Sequence, residues 1–486
     1  MQWLPGWAPP SVRFPSITAC LLVAFVAGCS LVPPYHLPDT PMPSAFDGAE
    51  PTVSLDATVP VRGGWWHAYH DPTLDALVEE SLVHNYSLAS AVATVEQARG
   101  TAEKAGAAQF PSLTAGAAFD RSHVGGHKGS TGKSQSLFVE ARYEIDFWGF
   151  NAATANASTL LARATEFDRD TVALTLTASV VDTYFSVQSL RRRLALARTI
   201  ADDASRVLQL LLAQQAAGVA TELQVQQQRN ALATFEAAVP TLQQQLEIAQ
   251  HALAVLTGSA PEGFAVKTVE LSSIPVPQPR AELPASLLQT RPDIQVKEAQ
   301  MQSANFDVGA ARAAFLPNIA LTADGGLSSK SLSHFLSSPF ASLAASLVAP
   351  LFDGGALRGQ LHASQGAAAK SVADYQQAVI AALQDVEDSL TAAHQQQLTE
   401  AADQDAANAA SRAAALAEAQ YRLGTVDFLT VLDAQRTRYQ AEDALVQARL
   451  ARLQASVSVF RAFGGGFNLT DGGYASASPS TELSHS

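Results

Sequence analysis

The chain has 486 residues, of which 47% are hydrophobic and 16% charged, and its 31 basic and 45 acidic side chains leave a formal net charge of −14. This acidic balance argues against a nucleic-acid-binding surface, which needs clustered Lys and Arg. Cys20 and Cys29 are the two cysteines, and their position near the N-terminus excludes disulfides from the rest of the chain.

The N-terminal segment has the pattern of a secretory signal. Residues 17–28 are apolar, but a bilayer span needs about 20 such residues. The run ends in Val-Ala-Gly-Cys29, which resembles a bacterial lipobox. That resemblance implies that residues 1–28 are a lipoprotein signal peptide, that Cys29 is acylated, and that Ser30 directs the protein to the outer membrane. The alternative is an ordinary cleaved signal with a cysteine at this position by chance.

The rest of the sequence is internally duplicated. Short motifs recur at a constant offset of 206 residues, as in the pairs Pro111 and Pro317, Gly149 and Gly355, and Gly218 and Gly424. A gap-free offset of this kind indicates two copies of one structural unit. We therefore predict two repeats, residues 85–290 and 291–463, after an N-terminal segment at 29–84 and before a disordered tail at 464–486.

Each repeat is predicted to begin with a helix that a proline ends, followed by two strands. The strand pairs are predicted at residues 112–147 and 318–351, around loops at 121–135 and 324–339. From Ser136 to Phe147 apolar and polar residues alternate strictly, which places them on opposite faces of a strand. Such a strand is typical of a water-filled transmembrane barrel, and a soluble sheet with one wet face has the same alternation.

Four strands cannot close a barrel wide enough for a channel, because even a filled barrel takes about eight. Open sheet edges are not tolerated in lipid, so several copies must share one barrel. Three copies supply twelve strands and a pore, whereas two supply eight and a plugged barrel. The strand count therefore favours a trimer.

The helices after the strands are unusually long. Residues 151–217 contain no Gly or Pro, which allows a helix of roughly 100 Å at about 1.5 Å per residue. The second repeat has a counterpart at 355–423. Tips at 218–222 and 424–428 lead into return helices at 221–257 and 427–463. A coiled-coil stalk has the same periodicity but leaves the strands unexplained.

The sequence gives little support for a metal site or for an enzymatic active site. His67 and His70, and likewise His123 and His127, have ligand-like spacing but lack Cys or carboxylate companions at the spacing of a zinc site. No phosphate-binding loop, catalytic triad or isolated acid pair is present. We expect no cofactor, no metal and no enzymatic activity.

Several ordered motifs resemble the TolC-like outer-membrane factors, in particular their lipoprotein branch. The most specific is Leu-Pro-Ala-Ser-Leu-Leu-Gln-Thr-Arg-Pro-Asp-Ile at residues 283–294, and the others are Trp65-Trp66, Asp146-Phe-Trp-Gly149, Pro350-Leu-Phe-Asp-Gly-Gly355 and Tyr421-Arg-Leu-Gly424. The resemblance covers residues 29–463. Lys297 stands where the family usually has Ala.

The resemblance implies a mixed α and β fold and a homotrimer. Each chain would contribute four strands to a twelve-strand outer-membrane barrel, continued by a periplasmic α-helical barrel with an equatorial belt. The implied partners are a periplasmic adaptor protein, an inner-membrane efflux transporter and outer-membrane lipid. The implied function is passive export of small molecules such as drugs. A type I protein-secretion duct and, less compatible with two repeats, a periplasmic adaptor are the alternatives.

The resemblance also implies roles for residues at the helical tips. Tyr421, Asp433 and Arg436 match the family's periplasmic gate, while an acidic gate position found in some members is Thr430 here. Without the resemblance, Asp433 and Arg436 would be an exposed i, i+3 pair. The adaptor-contact residues would be Gly218, Val219, Leu223, Gly424, Thr425 and Leu429, with the two glycines supplying a positive φ.

Overall fold

A computed structural model describes residues 31–46, 63–124, 130–278, 284–330 and 338–465. The predicted signal peptide, Cys29, His127, Leu283 and the tail beyond Gly465 lie outside these ranges. Gly464 and Gly465, predicted to begin the disordered tail, form a hydrogen-bonded turn in which their N–H groups donate to the carbonyls of Arg461 and Phe460.

Helices dominate both repeats, and each repeat also contains two strands. In chain order the first-half elements are α1 Pro72–His84, α2 Tyr86–Ala107, β1 Ser112–Val124, β2 Ser130–Ile145, α3 Phe150–Ala216 and α4 Glu222–Leu256. The second-half elements are α5 Leu287–Thr290, α6 Pro292–Ala313, β3 Asn318–Ser329, β4 Pro339–Val348, α7 Ala356–Arg422 and α8 Phe428–Ala462. The mixed fold and the internal duplication predicted from the sequence are confirmed.

The long helices match their predicted ranges to within a residue at each end, because the glycines on either side end them. Helix α1 was not predicted as a separate element. Its signal is nevertheless local: Asp71 accepts hydrogen bonds from the N–H groups of Thr73 and Leu74, and Pro72 occupies the first helical position. None of the helices in the described ranges is both long and apolar enough to span a membrane.

The four strands form one antiparallel sheet in the order β1-β2-β3-β4. Residues paired across the four strands form rows, and successive rows alternate between apolar and polar side chains. One row contains Leu113, Ala141, Ala323 and Leu343, and the next contains Thr114, Glu140, Asp324 and Ser342. One face of the sheet is therefore apolar and the other largely polar, as the alternation from Ser136 to Phe147 predicts.

Two glycines on the polar face lie beside Phe138, and one makes room for its ring while the other makes room for the adjacent backbone. A Cβ atom on Gly116 would lie 2.7 Å from Cζ of Phe138, and one on Gly326 would lie 2.0 Å from the carbonyl oxygen of Leu137. The row Gly116, Phe138, Gly326 and Phe340 thus combines rings with glycines. In the alternation that begins at Ser136, Phe138 falls on the polar face, and the space above Gly116 accommodates its ring.

The predicted loops were too long. Much of the range 121–135 pairs as strand, for instance Arg121 with Lys133, and strand β3 continues through Ser329 into the predicted loop at 324–339. The prediction failed because ladder hydrogen bonds join backbones, so a hairpin continues past the end of the side-chain alternation. At the other end β2 and β4 stop at Ile145 and Val348 rather than at 147 and 351.

Carboxylates cap the N-terminal ends of the long helices α3 and α7, which follow strands β2 and β4. Asp146 Oδ2 accepts a hydrogen bond from the N–H of Ala152 at 2.7 Å. Asp353 accepts from the N–H groups of Gly355 and Leu357, and these bonds lower the pKa of its carboxyl. These caps satisfy backbone donors at the first turn and explain where α3 and α7 begin.

The chain divides into two compact units, each with segments of both repeats. One comprises Met1–Leu37, Ala98–Ala162 and Ala299–Val372, and the other Pro38–Gln97, Arg163–Glu298 and Ala373–Ser486. In the second unit an aromatic core forms around α3 and α8, with Trp65 stacked on Phe460 at 5.2 Å. There the Tyr184 hydroxyl donates to Asp71 Oδ2 at 2.5 Å, which ties the α1 cap to α3.

Candidate functional site

The two helical tips are built alike. Gly218 and Gly424 have φ values of +73° and +72°, the left-handed conformation that ends a helix. At each tip the residue after the glycine donates its N–H to a carbonyl in the last turn of the preceding helix. Val219 donates to the carbonyl of Gln214, and Thr425 donates to that of Gln420. The next helix begins at once, so each tip is a tight turn of fixed geometry.

Side-chain caps start the return helices. Thr221 and Gln224 form a reciprocal capping box at the start of α4. Asp427 accepts hydrogen bonds from the N–H and hydroxyl of Thr430 at 2.9 and 2.7 Å, and these bonds lower the pKa of the Asp427 carboxyl. Thr430 therefore donates hydrogen bonds to the N-cap residue Asp427. It stands at the position where some family members have an acidic gate residue.

The apolar side chains assigned to the tips lie on the surface. Val219, Leu223 and Leu429 expose 75%, 66% and 52% of their surface, and Gly218, Gly424 and Thr425 are exposed as well. Exposed apolar side chains clustered at a tip are unusual for a surface that meets only water. All six residues predicted for adaptor contact are thus available to a partner.

Beneath the tips, the first hairpin packs against the second. Leu211 of α3, Val225 of α4 and Phe428 of α8 form a buried cluster, with Tyr421 and Leu432 packed against it. A second cluster farther along α3 and α4 includes Phe235, whose ring meets that of Tyr439 edge-on at 5.8 Å. The tips therefore share one apolar core rather than moving as independent hairpins.

Polar contacts join the hairpins along the same seam. Arg193 of α3 donates two hydrogen bonds to Asp443 of α8, at 2.7 and 3.1 Å. Within the first hairpin, the buried Gln228 of α4 donates to the carbonyl of Ala204 of α3 at 2.8 Å. These residues were not singled out in the sequence, because opposite charges 250 positions apart give no signal of contact before the helices are packed.

Tyr421 lies at the seam and not on the open surface. Its hydroxyl donates to Oε1 of Gln214 at 3.3 Å, and its ring meets that of Phe428 edge-on at 5.9 Å. Desolvation raises the pKa of this hydroxyl. Gln214 and Tyr421 occupy corresponding turns of α3 and α7, so this hydrogen bond links the two tips.

Asp433 and Arg436 are both exposed on α8, and no ion pair joins them within the described ranges. Asp433 lines a groove of about 680 Å³ between α7 and α8, together with Gln420, Asp427, Leu429 and Thr430. Within one chain, no hydrogen bond connects Tyr421 to Asp433 or Arg436 among the described residues. The structure thus places the three predicted gate residues near one tip without bringing their functional groups together.

The histidines considered as metal ligands have other surroundings. His67 Nδ1 lies 2.8 Å from Asp75 Oδ1, and His70 follows it in an exposed turn with a φ of +51°. Among the residues that the structure describes, no group of three or more His, Cys, Asp and Glu side chains is arranged to hold a metal ion.

The segment that follows Cys29 lies along α6. Asn305 donates to the carbonyl of Pro33 at 2.8 Å and Arg312 donates to that of Leu31 at 3.3 Å. Between them Gly309 leaves space for Val32, since a Cβ on Gly309 would lie 2.5 Å from Cγ2 of Val32. We call residues 31–37 the strap. Asn305, Gly309 and Arg312 fix its position.

Comparison with known proteins gives this geometry a context. The family described as "Outer membrane efflux protein" matches residues 77–259 and again residues 283–465. The "Pyoverdine export outer membrane protein OpmQ" of Pseudomonas aeruginosa is 37% identical over 83% of this chain and 87% of its own length. The "Probable efflux pump outer membrane protein TtgC" of Pseudomonas putida is 32% identical over 93% of this chain and 96% of its own.

Solved structures agree with the sequence relatives. The outer-membrane channel OprN superposes with a TM-score of 0.84 at 29% identity, covering 90% of this chain and 99% of its own. CusC superposes with a TM-score of 0.82 at 27% identity, covering 90% of this chain and all of its own. The family and these relatives are channel and transport proteins, not enzymes. The chain belongs to the outer membrane efflux protein family, and it is an efflux channel of the outer membrane.

Proposed function

We propose that this protein is the homotrimeric exit duct of a tripartite efflux pump, which passively conducts small molecules from the periplasm to the exterior. The observation that carries the proposal is the four-stranded sheet, whose outer strands β1 and β4 are left as edges in a single chain. The inner-membrane transporter would supply the energy and select the cargo, while an adaptor would hold the duct open.

The sheet supports the trimer. Leu343 and Leu347 on one face of β4 expose 81% and 67% of their surface, and the outer edge of β4 has no partner strand in a single chain among the described residues. Lipid does not tolerate an unpaired edge, whereas β4 of one copy can pair with β1 of the next. Three copies make twelve strands, with the apolar rows toward lipid and the Glu140 row toward water.

The cargo class follows from the relatives. Proteins named for export of pyoverdine and for efflux of antibiotics, toluene and other solvents align over most of this chain. All of these cargoes are small molecules, which supports small-molecule efflux over a protein-secretion duct. The particular compound depends on the transporter, because a wide duct contributes little selection.

The lipid anchor and the domain division form part of the proposal. Acylated Cys29 would hold the mature chain in the outer membrane, with residues 1–28 removed. Residues 29–84 would then form the anchored segment, 85–290 and 291–463 the two repeats, and 464–486 the tail. The strap supports this arrangement, since the carbonyl of Leu31, two residues after Cys29, is already held by Arg312 on α6.

The tips are the proposed adaptor contacts and gate. Val219, Leu223 and Leu429 provide exposed apolar side chains next to rigid turns, which suits docking of a helical hairpin. When three copies come together, the entrance would be constricted by Tyr421, Asp433 and Arg436. Asp433 and Arg436 have no ionic partner in their own chain among the described residues. The partners for these charges would then come from the neighbouring copy.

The channel proposal is tested by purifying the protein from outer membranes and measuring its mass and its conductance in planar bilayers. We expect a trimer that conducts and that restores drug resistance, together with its adaptor and transporter, to cells lacking their own duct. A stable monomer without conductance would reject the proposal.

The gate is tested by the change Asp433→Ala. Loss of three carboxylates from the constriction should increase single-channel conductance and the leak of large antibiotics into cells. Thr437→Ala, one turn farther along α8 in the same groove, is the matched control and should behave as wild type. Unchanged conductance and unchanged leak in Asp433→Ala would remove this residue from the gate.

A further inference from the structure

Helix α6 has two opposite faces that differ in what lies against them. At about 100° per residue, Asn305, Gly309 and Arg312 fall on one face, which carries the strap. Asp307 and Ala314 fall on the other. The directions between these faces belong to Val308 and Ala313, and both side chains are buried. Helix α6 therefore has the strap on one side and Asp307 on the opposite side, with buried side chains between them.

The second face opens into a groove of about 580 Å³ between α3, α6 and α7. Its lining is Phe150, Thr154, Asp307, Ala310, Ala311, Ala314, Gln360, Ala363, Ser364 and Ala367. Asp307 is the one ionisable residue among these ten. Its side chain is exposed, and no ion pair engages it within the described ranges. Partial desolvation by the surrounding helices raises the pKa of its carboxyl.

The strap determines which face is outside. It leads within two residues to Cys29, and a lipid on Cys29 can enter the bilayer only from the outer side of the barrel. The strap face of α6 must then be the outer face of the duct wall, and the groove on the opposite face must look into the lumen. This step rests on the trimeric, lipid-anchored duct proposed above.

The groove also has a definite height in the duct. Thr154 and Gln360 lie one turn into α3 and α7, which begin at Phe150 and Ala356 just after the strands. Asp307 lies within two turns of the end of α6 at Ala313, just before strand β3. The groove is thus at the level where the helices meet the strands.

We infer that Asp307 of the three copies forms a ring of carboxylates in the lumen, where the helical duct meets the strand barrel, and that this ring makes the duct prefer cations. Rings of Asp or Glu produce cation preference because they raise the local concentration of the counter-ion in the pore. The groove lining supplies no basic side chain that would neutralise the ring. None of the proposed gate residues lines this groove, and Asp433 belongs to the other compact unit of the chain.

Reversal potentials across a KCl gradient test the inference. Asp307→Asn should reduce the cation-over-anion permeability ratio at least about twofold, Asp307→Lys should reduce it further, and Asp307→Glu should preserve it. Each variant should also be measured with Asp433→Ala, so that a narrow periplasmic entrance does not mask the effect. A wild-type trimer that does not conduct rejects the duct itself, whereas conduction with an unchanged ratio in Asp307→Asn and Asp307→Lys rejects only this inference.

Cysteine labelling tests the orientation directly. A cationic, thiol-reactive methanethiosulfonate should shift the reversal potential of Asp307→Cys toward anions, because it places positive charge in the lumen. The control is Leu37→Cys on the strap, where the side chain is also exposed and the same modification should leave the potential unchanged. Equal responses of the two variants would overturn the assignment of faces.

Discussion

Asp182 on α3 has a carboxyl group whose burial disfavours the charged form. Its Oδ1 atom is buried and has no hydrogen-bond partner in the described ranges. Burial raises its pKa from an ordinary value of 3.8 to about 7, and the charge of Arg461 acts in the opposite direction. Nothing in the sequence separates Asp182 from the other acidic residues, since its property arises from what α3 packs against.

This residue should make stability depend on pH. The folded protein retains the proton up to about pH 7, whereas the unfolded chain loses it near pH 4, so Asp182 costs stability increasingly as pH rises between these values. Asp182→Asn should therefore stabilise the protein by on the order of 2 kcal/mol at pH 8 and by less at pH 5.

Thermal unfolding of the purified protein at the two pH values provides the measurement. Asp168→Asn is the control, because Asp168 is exposed on the same helix and its removal should leave the melting temperature nearly unchanged at both values. An Asp182→Asn variant no more stable than wild type at pH 8 would show that the buried carboxylate carries no such penalty.

The single arginine of the Arg-Pro-Asp-Ile motif illustrates what a motif can and cannot tell. Arg291 pairs with Asp293 at 2.7 Å and with Asp385 of α7 at 3.0 Å, and it donates to the carbonyl of Ala462 at the end of α8. The motif identified the family from the sequence. The role of Arg291 as the link between the start of α6 and two other helices became visible only when the helices were packed.

At the scale of elements, the two tips form a matched pair. A Cβ atom added to Gly218 or Gly424 would meet nothing within 4 Å, so the positive φ is the only obstacle to a side chain there. Gly218→Ala and Gly424→Ala should each destabilise their hairpin by about 1 kcal/mol, because a left-handed conformation strains an L-residue.

Hydrogen exchange at the ends of α3 and α7 would report this loss. Gly100→Ala is the appropriate control, since Gly100 lies within helix α2 and has open space around its Cβ position. That change should stabilise its helix by about 0.5–1 kcal/mol. Tips that tolerate alanine as well as α2 does would mean that the turn conformation is not required.

The elements were predicted unequally well. Long helices were located to within a residue because glycines and prolines flank an unbroken run. Strand ends were misplaced by several residues, because the pairing of Arg121 with Lys133 depends on backbone groups and leaves no pattern in the side chains. Helix α1 was missed although Asp71 and Pro72 are a local signal for its start.

At the scale of the whole molecule, the strap connects the proposed lipid anchor to the body of the protein. Gly309→Ala should displace Val32, since the new Cβ would lie 2.5 Å from Val32 Cγ2 and 2.9 Å from its Cα, and the helix backbone leaves it no other direction. We expect faster hydrogen exchange in residues 31–37 and a lower melting temperature.

Gly359→Ala is the matched change, because Gly359 also lies within a helix and its Cβ position is open. It should leave exchange in the strap unchanged. Identical strap exchange in the Gly309→Ala and Gly359→Ala variants would show that Gly309 does not position the strap.

The sequence by itself determined the class of this protein. Its 206-residue duplication, the alternation from Ser136 to Phe147 and the uninterrupted helical runs are local or periodic signals, which depend on each residue's chemistry and its neighbours in the chain. They sufficed for the mixed fold and for the two hairpins, whereas the family was recognised from its motifs. The gate residues rested on resemblance, and they remain a proposal.

The tertiary structure decided the relations between residues distant in the chain. In the folded chain the Tyr421 hydroxyl donates to Gln214, and the Thr430 hydroxyl donates to the N-cap residue Asp427. Asp307 lies on the face of α6 opposite the strap. These outcomes depend on which faces of the helices meet, and many alternative packings satisfy the same periodicity. Only the packed chain selects one of them, because the apolar and hydrogen-bonded contacts must be satisfied together.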